Sequence, residues 1–264
     1  MKNIFTVFKI EIYKLLCQRY FIILVSGFIL SIIGFGWVRI KVAGLSGLSL
    51  SGFQLAAFTA STGGSLLTLI MIILSGSAIA SERSYGTLNL ICLRPVPRGV
   101  LLWGKLFSLY SVSLFLLAVL LVSGLAAGMM FSGLEALSEN DYVIYSFSEL
   151  LRNYLTGFMF SLLPVFAWCS VAFFLSVVIT GHIWANAISL VLFFAFYLLL
   201  PFDEIISFTP NQFFNAGMDM ISKITYGLPA VWSPHYRYSF FAFLYVLFFS
   251  IASVIIFRKK DVLC

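Results

Sequence analysis

Residues 81–99 read SERSYGTLNLICLRPVPRG, and long apolar runs flank them on both sides. Four charged side chains (Glu82, Arg83, Arg94 and Arg98) and two prolines (Pro95 and Pro97) stand within these nineteen residues. An arginine at the centre of a bilayer costs roughly 2.5–3.5 kcal/mol even on the mildest scale, so three of them with Glu82 place the stretch in water or at the interface. Glu82 suits a helix N-terminus, and Tyr85, Leu88 and Cys92 follow at spacings of three and four, which predicts a short amphipathic helix. Pro95 disfavours helical geometry at Arg94, and the N–H groups missing from Pro95 and Pro97 stop that helix from running into the next apolar segment. The product is an exposed, compact protrusion with an apolar stripe and a basic end. Two readings fit it: a rigid element that transmits a push from a soluble partner, or an interfacial loop that snorkels its arginines.

The runs on either side set the class. Of 264 residues, 61% are hydrophobic and 10% charged, where a soluble domain carries about a quarter charged residues. A helix needs about 20 mostly apolar residues to cross a bilayer. Six runs come near or exceed that length: residues 20–38, 53–80, 106–131, 155–179, 183–200 and 240–257. They are continuously apolar rather than alternating, which excludes a transmembrane β-barrel. The expected fold is an all-α integral membrane protein of six transmembrane helices, with residues 1–264 forming one membrane domain.

Six crossings put both termini on one side. Eleven of the sixteen Lys and Arg residues flank the N-terminus, the 81–105 segment and the C-terminus, while seven of the ten acids fall on the opposite side. By the positive-inside rule the termini and the 81–105 segment are cytoplasmic. The same distribution accounts for the net charge of +6 without nucleic acid as a partner, because the basic residues gather on no single face. Cys17, Cys92 and Cys264 lie on the cytoplasmic side and Cys169 within a span, so no extracellular disulfide framework is expected. The first apolar run follows nineteen residues of different character and reads as a retained span rather than a cleavable signal.

Ahead of span one, Phe5, Phe8, Ile12, Leu15 and Leu16 recur at helical spacing, with Lys2, Thr6, Lys9 and Tyr13 on another face. Residues 1–19 are thus expected to form an amphipathic helix, lying on the inner membrane surface or packed against cytoplasmic protein. Residues 42–52 and 132–154 read as the first two outer loops, and Thr180, Gly181 and His182 as a tight cytoplasmic turn in which His182 is a polar turn residue. In the outer segment 201–239, Thr209 and Pro210 start and Gly227 ends an amphipathic helix over residues 210–226, which either caps the outer mouth or rests on lipid.

Chemistry within the spans is excluded by what they lack. None of the six runs contains Asp, Glu, Lys, Arg or His, so proton-coupled carriers, ion pumps and voltage sensors lose their essential groups. An intramembrane hydrolase would need a nucleophile with a basic or acidic partner, or a metal cluster, and no catalytic or metal-ligating set is found. Residues 99–106, GVLLWGKL, match a phosphate loop up to the final position, but Leu106 stands where a magnesium-binding Ser or Thr is needed and the segment enters a span. Gly124 and Gly128 at GxxxG spacing point to close helix packing.

The set Glu82, Gly86-Thr87-Leu88, Pro95-Val96, Arg98 and Gly104-Lys105 resembles the E…GTL…P-V-x-R…G-K pattern joining spans two and three in ABC-2 type permeases, the membrane subunits of many bacterial ABC transporters. The ending Phe257-Arg258-Lys259-Lys260-Asp261 is similar to that family's C-terminus, and span count, N-terminal helix and orientation agree along the chain. The resemblance implies the architecture of type V exporters in a bacterial cytoplasmic membrane. It implies an ATPase-coupling site at Glu82, Arg83, Tyr85, Gly86, Thr87, Leu88, Pro95, Arg98 and Lys105, with Gly86 permitting close backbone approach. It further implies two ATP-binding cassette subunits, which carry ATP and magnesium while this chain binds no cofactor and is no enzyme, and a second permease copy or a related permease, all within membrane lipid. Spans two and five face the pathway in the family, which nominates Gln54 and Asn186. The expected function is export of an amphipathic or hydrophobic cargo such as an antimicrobial peptide, drug or lipid. The competing reading is a membrane scaffold that recruits a soluble partner without transport.

Overall fold

The computed structural model describes residues 4–17, 19–45, 51–87, 97–131, 133–139, 142–198, 220–221, 223–229 and 231–259. Leu88, Cys92, Arg94 and Pro95 lie outside the described residues, as does most of the predicted outer helix over 210–226.

Eight helices and one hairpin make up the described elements: α1 (Ile4–Cys17), α2 (Arg19–Leu45), α3 (Gly52–Ser77), α4 (Ala80–Ser84), α5 (Arg98–Phe131), β1 (Leu137–Glu139), β2 (Tyr142–Tyr145), α6 (Phe147–Val178), α7 (His182–Leu198) and α8 (Ser233–Lys259). The predicted spans correspond in order to α2, α3, α5, α6, α7 and α8. Five are long and apolar enough to cross a membrane, and α7 is a shorter apolar helix of 17 residues.

Four of the helices outrun, mainly at one end, the apolar runs that predicted them, while α3 stops at Ser77, short of residue 80. Span one extends to Leu45, into the expected outer loop; α5 starts at Arg98 rather than residue 106, α6 at Phe147 rather than 155, and α8 at Ser233 rather than 240. An apolar run reports how much helix hydrocarbon covers, whereas the helix itself ends where its terminal N–H groups find other partners. Two starts are set by capping boxes. Ser51 Oγ accepts from the Gln54 amide and the Gln54 side chain accepts from the Ser51 N–H; Ser146 and Glu149 repeat the arrangement before α6. The expected loop over 132–154 therefore contains the antiparallel β1–β2 ribbon and the first turns of α6.

The hub is α3, against which α2, α5, α6 and α7 all pack, while α8 lies along α6 and α1 along α5. With no water at membrane depth, hydroxyl groups return their hydrogens to the preceding turn: Thr68 to Gly64 O, Ser161 to Gly157 O and Ser253 to Phe249 O. One hydroxyl set crosses between helices. Tyr110 Oη on α5 lies 2.6 Å from Ser170 Oγ on α6 and 3.2 Å from Ser250 Oγ on α8, joining three spans.

The GxxxG pair serves packing within the chain. A Cβ on Gly124 would stand 2.7 Å from Tyr154 Oη and 3.2 Å from Thr59 Oγ1, and Gly128 abuts the backbone of Gly52. Tyr154 is only 1% exposed and has nowhere to retreat. Gly124→Ala is therefore expected to cost about 1–3 kcal/mol by overpacking, seen as a lowered unfolding temperature of the chain in nanodiscs; an unchanged temperature would show that α3, α5 and α6 are not held in this contact.

Candidate functional site

The segment quoted at the outset begins where α3 stops being a helix. Continuing α3 would have the N–H groups of Ile79 and Ala80 donate to the carbonyls four residues back. Instead both donate to Ser176 Oγ near the end of α6, each at 2.9 Å, and Ala78 N–H turns tightly onto Ser75 O. A side chain inserted into the helical ladder breaks it and satisfies the donors that the break releases. The chain restarts as the five-residue α4.

Residue by residue, α4 is tied down on its inner side. Glu82 is 5% exposed, against the expectation that all four charges of the stretch lie in water. Its Oε1 accepts from Lys105 Nζ at 2.8 Å and from Lys14 Nζ at 2.7 Å, and Lys105 Nζ also donates to Glu11 Oε1 at 2.9 Å. The side chain of Lys105 is 3% exposed, in the first turns of a helix that goes on to cross the membrane. Such burial is tolerable because two carboxylates and two ammonium groups neutralise one another and hydrogen-bond at contact distance; a buried charge without partners costs several kcal/mol. The four residues come from α1, α4 and α5, so the cluster binds the N-terminal helix and the start of span three to the end of span two. A polar cleft of about 140 Å³ runs beside it, bordered by Ser77, Ser81 and Ser108. Burial works to lower the Lys14 pKa, but the hydrogen bond and charge of Glu82, with Glu11 behind, raise it on balance. Its raised value means that the stabilisation is complete at neutral pH and is lost only as pH climbs through that value.

On its other side α4 is fastened to the turn between spans four and five. Arg83 donates to Val177 O at 3.2 Å and Ile179 O at 3.4 Å, carbonyls at the C-terminal end of α6. Ser84 Oγ lies 3.3 Å from His182 Nδ1, and the Tyr85 and His182 rings stack with centroids 6.0 Å apart. His182 is thus a turn residue with a defined contact. Thr87 Oγ1 closes the element on Glu82 O at 3.2 Å.

What is left facing outward is the tip. Ser84, Tyr85, Gly86 and Thr87 are exposed, Tyr85 to 74%. Gly86 has a φ of +69°, and a Cβ there would meet nothing within 4 Å. Within this chain glycine is needed there for the left-handed turn, and the side without a Cβ is left open. Arg98 is exposed at the start of α5. Residues 99–106 lie within the continuous helix α5, so no phosphate loop forms there.

The nominated pathway residues lie apart from this site. Gln54 is engaged at the N-terminal end of span two, in the Ser51 capping box and in a 3.1 Å bond from Nε2 to Thr225 O. Asn186 packs its carboxamide against Gly76, where spans two and five touch. Glu11, Lys14 and Ser176 were not singled out by the sequence reading. Phe8, Glu11 and Leu15 share a helical face at spacings of three and four, and an acid on an apolar stripe was the available signal; nothing in the sequence marks Ser176 among the span hydroxyls.

Residues 7–196 match the family model described as ABC-2 family transporter protein, and the chain belongs to that family. It is thereby a multi-pass membrane protein of a transporter family. The chain is also similar to the uncharacterized protein YhcI of Bacillus subtilis (strain 168), with 24% identity over 220 residues covering 78% of this chain. That alignment spans 66% of YhcI, just under two thirds of its length.

Removing Lys105 should be far worse than removing Lys14. Lys105→Met leaves two buried carboxylates with one half-exposed counter-ion, and breaking such a pair costs about 3–5 kcal/mol. Lys14→Met removes the partly solvated member, worth about 1 kcal/mol or less. Thermal unfolding of the two variants in nanodiscs checks the order, and the reverse ranking would show that the cluster is not sealed from solvent.

Proposed function

We propose that the chain is the permease of an ATP-driven exporter in a bacterial cytoplasmic membrane, its termini and coupling element facing the cytoplasm. Two permeases, identical or related, pair with two ATP-binding cassette subunits that hold ATP and magnesium. The cargo is amphipathic or hydrophobic, consistent with spans that carry hydroxyls and amides in place of charges. ATP binding draws the ATPases together and tilts the coupling elements, and hydrolysis resets them. Asn186, at the contact of spans two and five, belongs to the pathway; Gln54 serves it by fixing the outer end of span two.

One observation carries this reading: α4 is bound on one side to α1 and α5 by charge and on the other to the span four–five turn by hydrogen bonds, while Ser84, Tyr85, Gly86 and Thr87 at its end are exposed. A displacement applied at Tyr85 therefore reaches spans two, three and four together with the N-terminal helix. A freely snorkelling loop would absorb it. The roles within the coupling set then divide. Tyr85, Gly86 and Thr87, with Leu88, Pro95 and Arg98, form the docking surface, and Glu82, Arg83 and Lys105 form the rigid mount.

The division is testable in the assembled transporter. Tyr85→Ala removes an exposed aromatic anchor, expected to weaken ATPase binding by about 2 kcal/mol, or roughly thirtyfold. Glu11→Gln should leave copurification of the ATPase intact while lowering cargo-stimulated ATP turnover. Normal binding and stimulation in Tyr85→Ala would place the docking surface elsewhere, and loss of binding in Glu11→Gln would put the cluster at the interface.

A further inference from the structure

An apolar groove of about 700 Å³ lies beneath α1. Its walls are Phe5 and Phe8 of α1, Phe107, Tyr110 and Leu114 of α5, and Phe166 of α6, and among the described residues no acidic or basic side chain lines it. The aromatic walls are braced: Tyr110 stacks on Phe166 with centroids 4.6 Å apart, and its hydroxyl is held by Ser170 and Ser250. The α5–α6 wall of the groove is therefore held in place.

Depth and charge identify what fills it. Phe107, Tyr110 and Leu114 follow Lys105, which sits level with α1, by two to nine residues. At 1.5 Å per residue the wall reaches roughly 3–14 Å further along the helix, the acyl region of one leaflet in a hydrocarbon core about 30 Å thick. Beside the groove, Lys9 Nζ stands 4.7 Å from the centroid of Phe5, a lining residue. The neighbouring acids are already spent, since Glu11 and Glu82 are bound by Lys105 and Lys14, and Lys9 makes no ion pair among the described residues. We infer that the groove is a binding site for an anionic phospholipid of the inner leaflet, one acyl chain between α1 and the α5–α6 wall and the phosphate at Lys9. The lining helices include neither α3 nor α7, the carriers of Gln54 and Asn186, so this lipid sits apart from the proposed cargo pathway.

Photolabelling of the full chain in phosphatidylcholine nanodiscs tests the site, using traces of diazirine-acyl phosphatidylglycerol or diazirine-acyl phosphatidylcholine and mapping adducts by peptide mass spectrometry. Residues 4–9 and 107–114 are expected to be labelled several-fold more by the phosphatidylglycerol probe. Leu114→Trp, or Ser111→Phe on the same wall, should cut that labelling several-fold by filling the slot. Lys9→Gln should equalise the two probes while leaving acyl labelling in place. Equal labelling of the wild type by both probes, labelling indifferent to both filling variants, or occupation by a diazirine-bearing amphipathic peptide that phosphatidylglycerol fails to displace would each overturn the assignment.

Discussion

A lysine at the edge of hydrocarbon cannot be left alone, and the end of this protein that carries α1 and α4 is organised by that constraint. Lys105 is almost sealed from solvent in a helix that goes on to cross the membrane. Its ammonium needs anions within hydrogen-bond reach, and they come from Glu82 at the end of span two and Glu11 in the N-terminal helix. Lys14 balances the second carboxylate. Satisfying one buried charge thus draws three separate stretches of chain to one point. The apolar contacts follow suit: Val7 and Phe8 lie directly over Gly104, where even a Cβ would press within 2.6 Å of Val7 Cγ1.

The opposite flank of α4 obeys the backbone version of the same rule. Ending α6 near the membrane surface exposes carbonyls, and breaking α3 exposes amides. Arg83 supplies donors to the first set and Ser176 an acceptor to the second, so each helix end repairs the other. The reciprocal arrangement makes the span two–three segment and the span four–five turn one mechanical body. This supports a role in transmission more directly than exposure or charge alone.

Legibility in the sequence varied with the physics involved. The number and order of spans were readable because hydrocarbon burial demands long apolar runs, and the family could be recognised from the pattern around Gly86-Thr87-Leu88. Helix ends were misplaced by up to eight residues, as at Phe147, because they depend on caps such as Ser146 with Glu149 beyond the apolar run. Glu82 was read as exposed because a charge in a polar stretch is usually solvated. Its partners are 68 residues earlier and 23 later in the chain, a pairing that no local pattern encodes. Asn186 and Gln54 looked equivalent as lone amides in apolar runs; tertiary contacts separate the one committed to a cap from the one at a helix crossing.

The cluster also carries a consequence for biogenesis. Its members are synthesised in the order Glu11, Lys14, Glu82, Lys105, so the first three leave the ribosome before the residue that neutralises Glu11 exists. Until the third span enters the bilayer, the nascent chain holds an acid with no cation to meet it, and the amphipathic helix has no wall to close against. Closure of this end of the protein is therefore a late event, waiting on insertion of span three. A translocation arrest before that point would leave a two-span intermediate whose N-terminal helix is still open to quality-control proteases.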